Sequence, residues 1–201
     1  MQRSSREEVL DAVVASVEAL GVRRTTMAEV ARRAGMSRST LYTHFSDVTE
    51  ATAAALTREL LALVAEVLAE DGSAPGTGRQ QLVTAATRLA ATVPDQPLIE
   101  RILELDGELL VPYLVQRLGS SQRTILDTIA DLIRAGQRDG SVRDGDPGVL
   151  AFSVFLLVQS FIVSARIAEA ELGRETAHAE LAHLLDACLR PGRAPTGTAT
   201  P

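Results

Sequence analysis

The sequence predicts an all-α protein with a small N-terminal head and a larger C-terminal body, on three observations. Apolar residues make up 46 % of the 201 residues but aromatics only 3 %, with alanine and leucine dominating and no tryptophan. That mix suits helices, because strands favour β-branched and aromatic side chains. Apolar positions recur at helical spacing along most of the chain, and no stretch shows a strand pattern. One segment, "EDGSAPGTG" at 70–78, has the Gly, Ser and Pro content of a linker, so head and body separate there.

The first helix is expected from Arg6 to Leu20. Ser5 with Glu8 forms a capping box, Val9, Val13, Val17 and Leu20 share one face, and Gly21 ends it. Thr26 with Glu29 caps a short helix over 27–34, and Gly35 takes the left-handed conformation that stops it. Ser37 caps a second short helix, Arg38 to His44, with Leu41 and Phe45 as apolar contacts. Asp47 with Glu50 opens a long helix to about Ala69, the only continuous element expected to join head to body. Beyond the linker come helices at 79–93, interrupted by Pro94 and Pro97, at 98–118 with a break near Pro112, and at 121–138. An uncharged helix then starts at Pro147 and runs to about 171, a last helix covers 174–190, and "PGRAPTGTATP" is a disordered tail. The resulting domains are 1–47, a connecting helix 48–70, a body 79–190 and a tail 191–201.

Composition removes several classes of function. A single cysteine, Cys188, excludes an internal disulfide framework and a cysteine-based structural metal site. The histidines, His44, His178 and His183, have no metal-binding spacing, and no nucleophile–base pair or glycine-rich phosphate loop is visible. The reading therefore expects no catalysis, no metal and no cofactor. The charged N-terminus lacks a signal-peptide apolar core, so the expected compartment is the cytoplasm. "PGVLAFSVFLLVQSFIVSA", 147–165, has no charge and the length of a marginal membrane span. Its internal Ser and Gln residues, and the absence of an arginine-rich flank, favour a buried oligomerisation helix, and no membrane is expected as a partner.

The chemistry concentrates at 22–45. The chain has a formal net charge of −6 and every one of its 20 basic residues is arginine. Yet Arg23, Arg24, Arg32, Arg33 and Arg38 face a single acid in this stretch, Glu29, for a local net of +4. Two short helices joined by a glycine-containing turn make a helix-turn-helix, whose second helix enters the DNA major groove. Ala31 is small where the helices approach, and Val30, Met36 and Leu41 supply the packing between them. Arg38, Ser39, Thr40, Tyr42, Thr43 and His44 offer the donors and acceptors that phosphates and base edges require. Three of the first four helices place a Glu at the third position, whereas the helix from Arg38 has Thr40 there. Its N-terminal amides are therefore expected to stay free for a phosphate. An acidic body with a basic head suits contact with DNA at one end only.

"TTMAEVARRAGMSRSTLYTHF" resembles the N-terminal signature of the tetracycline-repressor (TetR) family of bacterial transcription regulators almost residue for residue. The remainder is similar to that family only in its helical layout. The resemblance implies an all-α homodimer: a three-helix DNA-binding head, a connecting fourth helix, and a C-terminal domain that binds a ligand and dimerises through its last two long helices. It implies that Thr26, Ser37, Tyr42 and His44 hold phosphates while Arg38, Ser39 and Thr40 face bases. Val48 stands where the family commonly has lysine, and Ala51 where it has a large aliphatic, which shifts the expected phosphate contacts toward the Arg23–Arg24 pair and the bare helix end.

The expected partners are thus a double-stranded palindromic operator, a second copy of the chain and a small, largely apolar effector that releases a repressor from DNA. Polar residues inside apolar stretches are the candidate effector contacts: Tyr113 and Gln116, then Gln159 and Ser160 beside Phe155. The same residues are as well explained by hydrogen bonds across a dimer. A ligand-independent dimeric DNA-binding regulator therefore remains the alternative.

Overall fold

The computed structural model describes residues 5–71, 76–109 and 118–192. Tyr113, Gln116 and the 193–201 tail lie outside them. The described residues are helical and contain no strand. In chain order the helices are α1 (Ser5–Leu20), α2 (Met27–Arg33), α3 (Arg38–Tyr42), α4 (Val48–Asp71), α5 (Gly78–Thr92), α6 (Pro97–Leu105), α7 (Ser120–Arg138), α8 (Pro147–Val163), α9 (Ala165–Leu172) and α10 (Arg174–Leu189). Short 3-10 turns at Val93–Asp95 and Gly107–Leu109 flank α6.

The chain divides into two compact units, Met1–Val64 with Thr92–Arg123, and Ala65–Ala91 with Thr124–Pro201. The division differs from the sequence reading, which grouped everything after the linker together. In the first unit Val9, Leu10, Val13 and Val17 of α1 meet Val30 and Ala31 of α2, Leu41 of α3, and Ala51 and Ala55 of α4 in one buried cluster. Leu98 and Ile102 of α6 complete it, which is why α6 belongs with the head. Ala51 is fully buried at its place in this core, so the small side chain there serves packing.

In the second unit α5, α7, α8 and α10 surround Leu82, Ala86, Ile133, Leu150, Val154, Leu181, Leu185 and Leu189. Its close approach is Gly78 against Gly136: a Cβ on Gly78 would sit 2.7 Å from the Gly136 backbone. The start of α5 is held there by Asp139, whose carboxylate accepts the Gly78 amide at 2.7 Å. Arg143 ties the far end, its amide donating to Leu189 O at 2.8 Å and its Nε to Cys188 O at 2.7 Å.

The uncharged segment is not one helix to 171. It ends at Val163, and the direction turns by 71° between α8 and α9 at Ser164. No single described helix is long and apolar enough to cross a membrane; only the bent α8–α9 pair reaches that length and composition together. α8 buries Leu150, Ala151, Val154 and Phe155 and exposes Val149, Phe152, Leu156 and Val163. Spacings of three, four and seven residues place these four on one outward stripe.

Candidate DNA-binding surface

Thr26 adopts an extended conformation and its Oγ1 accepts the Glu29 amide at 3.2 Å, so α2 begins where the sequence places it. The Glu29 carboxylate does not turn back to close a capping box. It accepts from Arg32 Nε at 2.9 Å and from Arg33 Nε at 2.9 Å, one and the same acid gathering two arginines along the exposed side of α2. These hydrogen bonds, that of Arg32 first and of Arg33 next, hold the Glu29 carboxyl at about 2, well below its ordinary value.

Gly35 has φ +66 and faces open space, and Met36 N donates to Ala31 O at 3.0 Å, closing the turn. Ser37 then caps α3, which ends at Tyr42, two residues earlier than the sequence suggested; Thr43 is its C-cap and His44 lies half-buried beyond it. The expectation of free amides at this end is corrected in part. Ser37 Oγ accepts the Thr40 amide at 3.1 Å and lies 2.8 Å from Ser39 Oγ and 2.9 Å from Thr40 Oγ1. A shared hydroxyl cluster therefore sits where a bare helix end was expected, because Ser at the cap competes for its own helix's donors.

Below this surface Leu41 and Phe45 anchor α3 in the core, and Arg6 stacks its guanidinium 5.3 Å from the Phe45 ring centre. Above it Arg38, Ser39, Thr40 and Tyr42 are exposed side by side, Tyr42 by 54 %. Among the described residues Arg24 and Arg38 enter no ion pair, so their charges are available to an anion. Arg23, expected to act with Arg24, is instead paired with Asp106 and Glu108. Val48 is half-buried against the head core, and Glu50 takes the Ser46 amide and hydroxyl at the start of α4.

The surface thus collects Thr26, Ser37, Arg38, Ser39, Thr40 and Tyr42 with His44 at its edge. It is polar and exposed, with no group of metal-ligating side chains among the described residues. Of the effector candidates, Phe155, Gln159 and Ser160 belong to the second unit, while Tyr113 and Gln116 lie outside the described residues. Phe155 is buried and its ring lies 6.4 Å from that of Phe152, Gln159 is half-buried, and Ser160 is exposed. The sequence offered no signal for Asp106, whose hydrogen-bonded partner Val22 is 84 positions away.

Residues 9–50 match the family model described as bacterial regulatory proteins, tetR family. An HTH-type transcriptional regulator of Mycobacterium bovis is 36 % identical over 181 residues, 90 % of this chain and 92 % of that one. Among solved structures, a complex of SmeT with triclosan matches 99 % of both chains at 22 % identity with a TM-score of 0.62. The regulator FadR from Bacillus subtilis, in complex with stearoyl-CoA, matches 92 % of this chain and 99 % of that one at 12 % identity and a TM-score of 0.64. These two structures share the fold; the M. bovis relative shares the sequence along almost its whole length. The chain belongs to the tetR family of bacterial regulatory proteins and is a DNA-binding transcriptional regulator.

Proposed function

We propose that the protein is a ligand-responsive repressor that binds a palindromic operator as a homodimer and leaves it when a small, largely apolar effector binds. The observation that carries the DNA reading is the exposed Arg38–Ser39–Thr40–Tyr42 face standing on the fully buried Leu41. Arg38, Ser39 and Thr40 read base edges, while Thr26, Ser37, Tyr42 and His44 hold phosphates. The dimer reading is supported by the outward stripe of Val149, Phe152, Leu156 and Val163, with Ile167 and Leu172 of α9 also exposed. Exposed apolar residues so grouped are covered by a partner in stable proteins, and a second copy supplies two reading helices related by two-fold symmetry.

Effector binding draws support from the complexes of SmeT with triclosan, a largely apolar molecule, and of FadR with stearoyl-CoA, an apolar acyl chain on a charged carrier, on the same fold. For this chain Phe155 and Gln159 are the described candidates for its wall and polar anchor, with Ser160 on the outer face. Selection of duplexes from a random pool tests the core of the proposal. The expected product is an inverted repeat bound by two chains; a bound non-repetitive site with one chain per duplex overturns it.

A further inference from the structure

Asp106 follows the last residue of α6 and its side chain is only 2 % exposed. Its Oδ2 accepts the Val22 amide at 2.8 Å, in the turn that joins α1 to α2. Its Oδ1 lies 3.5 Å from Arg23 Nε, and Glu108, two residues on, pairs with the same guanidinium. The two segments are pressed together: Gly21 has φ +79, and a Cβ there would stand 3.0 Å from Leu105 Cδ1 and 3.2 Å from Asp106 Oδ2. A buried carboxylate with one backbone donor needs a cation nearby, and Arg23 supplies it.

Arg23 stands beside Arg24 and three residues ahead of Thr26, on the edge of the surface proposed to face phosphates, and its side chain is 68 % exposed. We infer that Asp106 and Glu108 are positioning residues for DNA binding. They fix the α1–α2 turn and hold Arg23 off the DNA backbone, so the head meets the duplex with Arg24 alone of the pair. Moving Arg23 to a phosphate would leave Asp106 buried without its cation, which keeps the restraint in place. An acid pair 56 and 58 residues beyond the family-matched stretch 9–50 thereby sets the strength of the DNA contact.

The inference rests on the proposed DNA-facing surface, and the experiment separates the two. Binding of the full-length chain to a duplex selected by the wild type is followed by fluorescence anisotropy between 50 and 200 mM salt. In D106N, E108Q and the double variant Arg23 gains a phosphate. With one Arg23 in each head of the dimer, the dependence of log K on log salt then steepens by about 1.8, and the affinity lost across that range grows about twelvefold. D106N keeps an oxygen for the Val22 amide and E108Q alters an exposed group, so melting temperatures report whether the fold persists. Adding Arg23→Gln to the double variant returns the slope to the wild-type value, whereas R23Q alone leaves the wild-type slope unchanged. An unchanged slope in the double variant, or a loss of about 1.8 in R23Q alone, overturns the inference. Arg24→Gln calibrates the face: if it flattens the slope while the acid variants do nothing, only the restraint fails, and if it too has no effect, the placement of this turn against DNA fails with it.

Discussion

Leu41 and Tyr42 are consecutive in the chain, yet Leu41 is fully buried beneath α3 while Tyr42 stands 54 % exposed above it. One turn of helix thus combines an anchor in the core with the face proposed to read DNA. The two roles separate by mutation. Leu41→Ala opens a cavity in the head core and costs about 2–5 kcal/mol, seen as a lowered unfolding midpoint together with lost operator binding. Tyr42→Phe keeps the fold and weakens all duplexes alike.

Arg38→Ala should act differently from Tyr42→Phe. If Arg38 reads a guanine, its loss costs roughly 1–3 kcal/mol on the selected operator and relaxes preference at that position. His44→Ala should lower affinity for operator and random duplex by the same factor. Parallel titrations with both duplexes settle it, and an Arg38→Ala variant with unaltered preference would falsify the assignment of base reading.

The head was legible because its signals are local. Thr26, Gly35, Ser37 and Leu41 each fix a cap, a turn or a contact within a few residues, and each stands where the sequence put it. What was not legible depends on long-range partners. Arg23 reads as a free phosphate contact until Asp106 is brought beside it by the packing of Leu98 and Ile102. The bend at Ser164 carries neither Pro nor Gly, so helical spacing runs through it unbroken. Ser37 defeats the bare-amide expectation in the opposite way, because a capping side chain serves its own helix before any ligand.

Glu29 makes acid stability testable. Its carboxyl is held at about 2 in the fold, against an ordinary 4.5, by the hydrogen bonds from Arg32 and Arg33. Since the folded value lies below the unfolded one, its contribution is complete above about pH 4.5 and disappears as pH falls toward 2. Glu29→Gln should therefore flatten the loss of stability between those values, measured as midpoint against pH. It should also free Arg32 and Arg33 and raise affinity for random duplex; wild-type behaviour on both counts would remove the role given to the trio.

Leu181 and Leu185 of α10 are buried within the second unit's own core. A charge at Leu185 should unfold the chain rather than merely divide it. Leu156→Glu, on the exposed stripe, is the discriminating variant: it should sediment as a folded monomer with the wild-type helix signal. A wild-type protein that is already monomeric at micromolar concentration would show that the stripe serves some other purpose.

Effector action needs a physical link between the two units, and the chain offers more than the single helix first expected. It passes between them inside α4 at Val64–Ala65, again after Ala91, and once more inside α7 at Arg123–Thr124. A ligand near Phe155 and Gln159 can release DNA only by favouring an arrangement of the two α3 helices that does not fit the operator. A hundredfold loss of affinity requires a coupling of about 2.7 kcal/mol, and the operator must weaken ligand binding by the same factor. Gln159→Leu should weaken an effector with a polar end by about tenfold while leaving operator affinity intact, since one buried hydrogen bond is worth about 0.5–1.5 kcal/mol. The measurement is a thermal-shift screen of apolar molecules with one polar group, followed by operator titration at saturating hit. A hit that stabilises the protein by several degrees and leaves operator affinity unchanged would show that binding and DNA release are uncoupled, and the protein would then be a constitutive DNA-binding dimer.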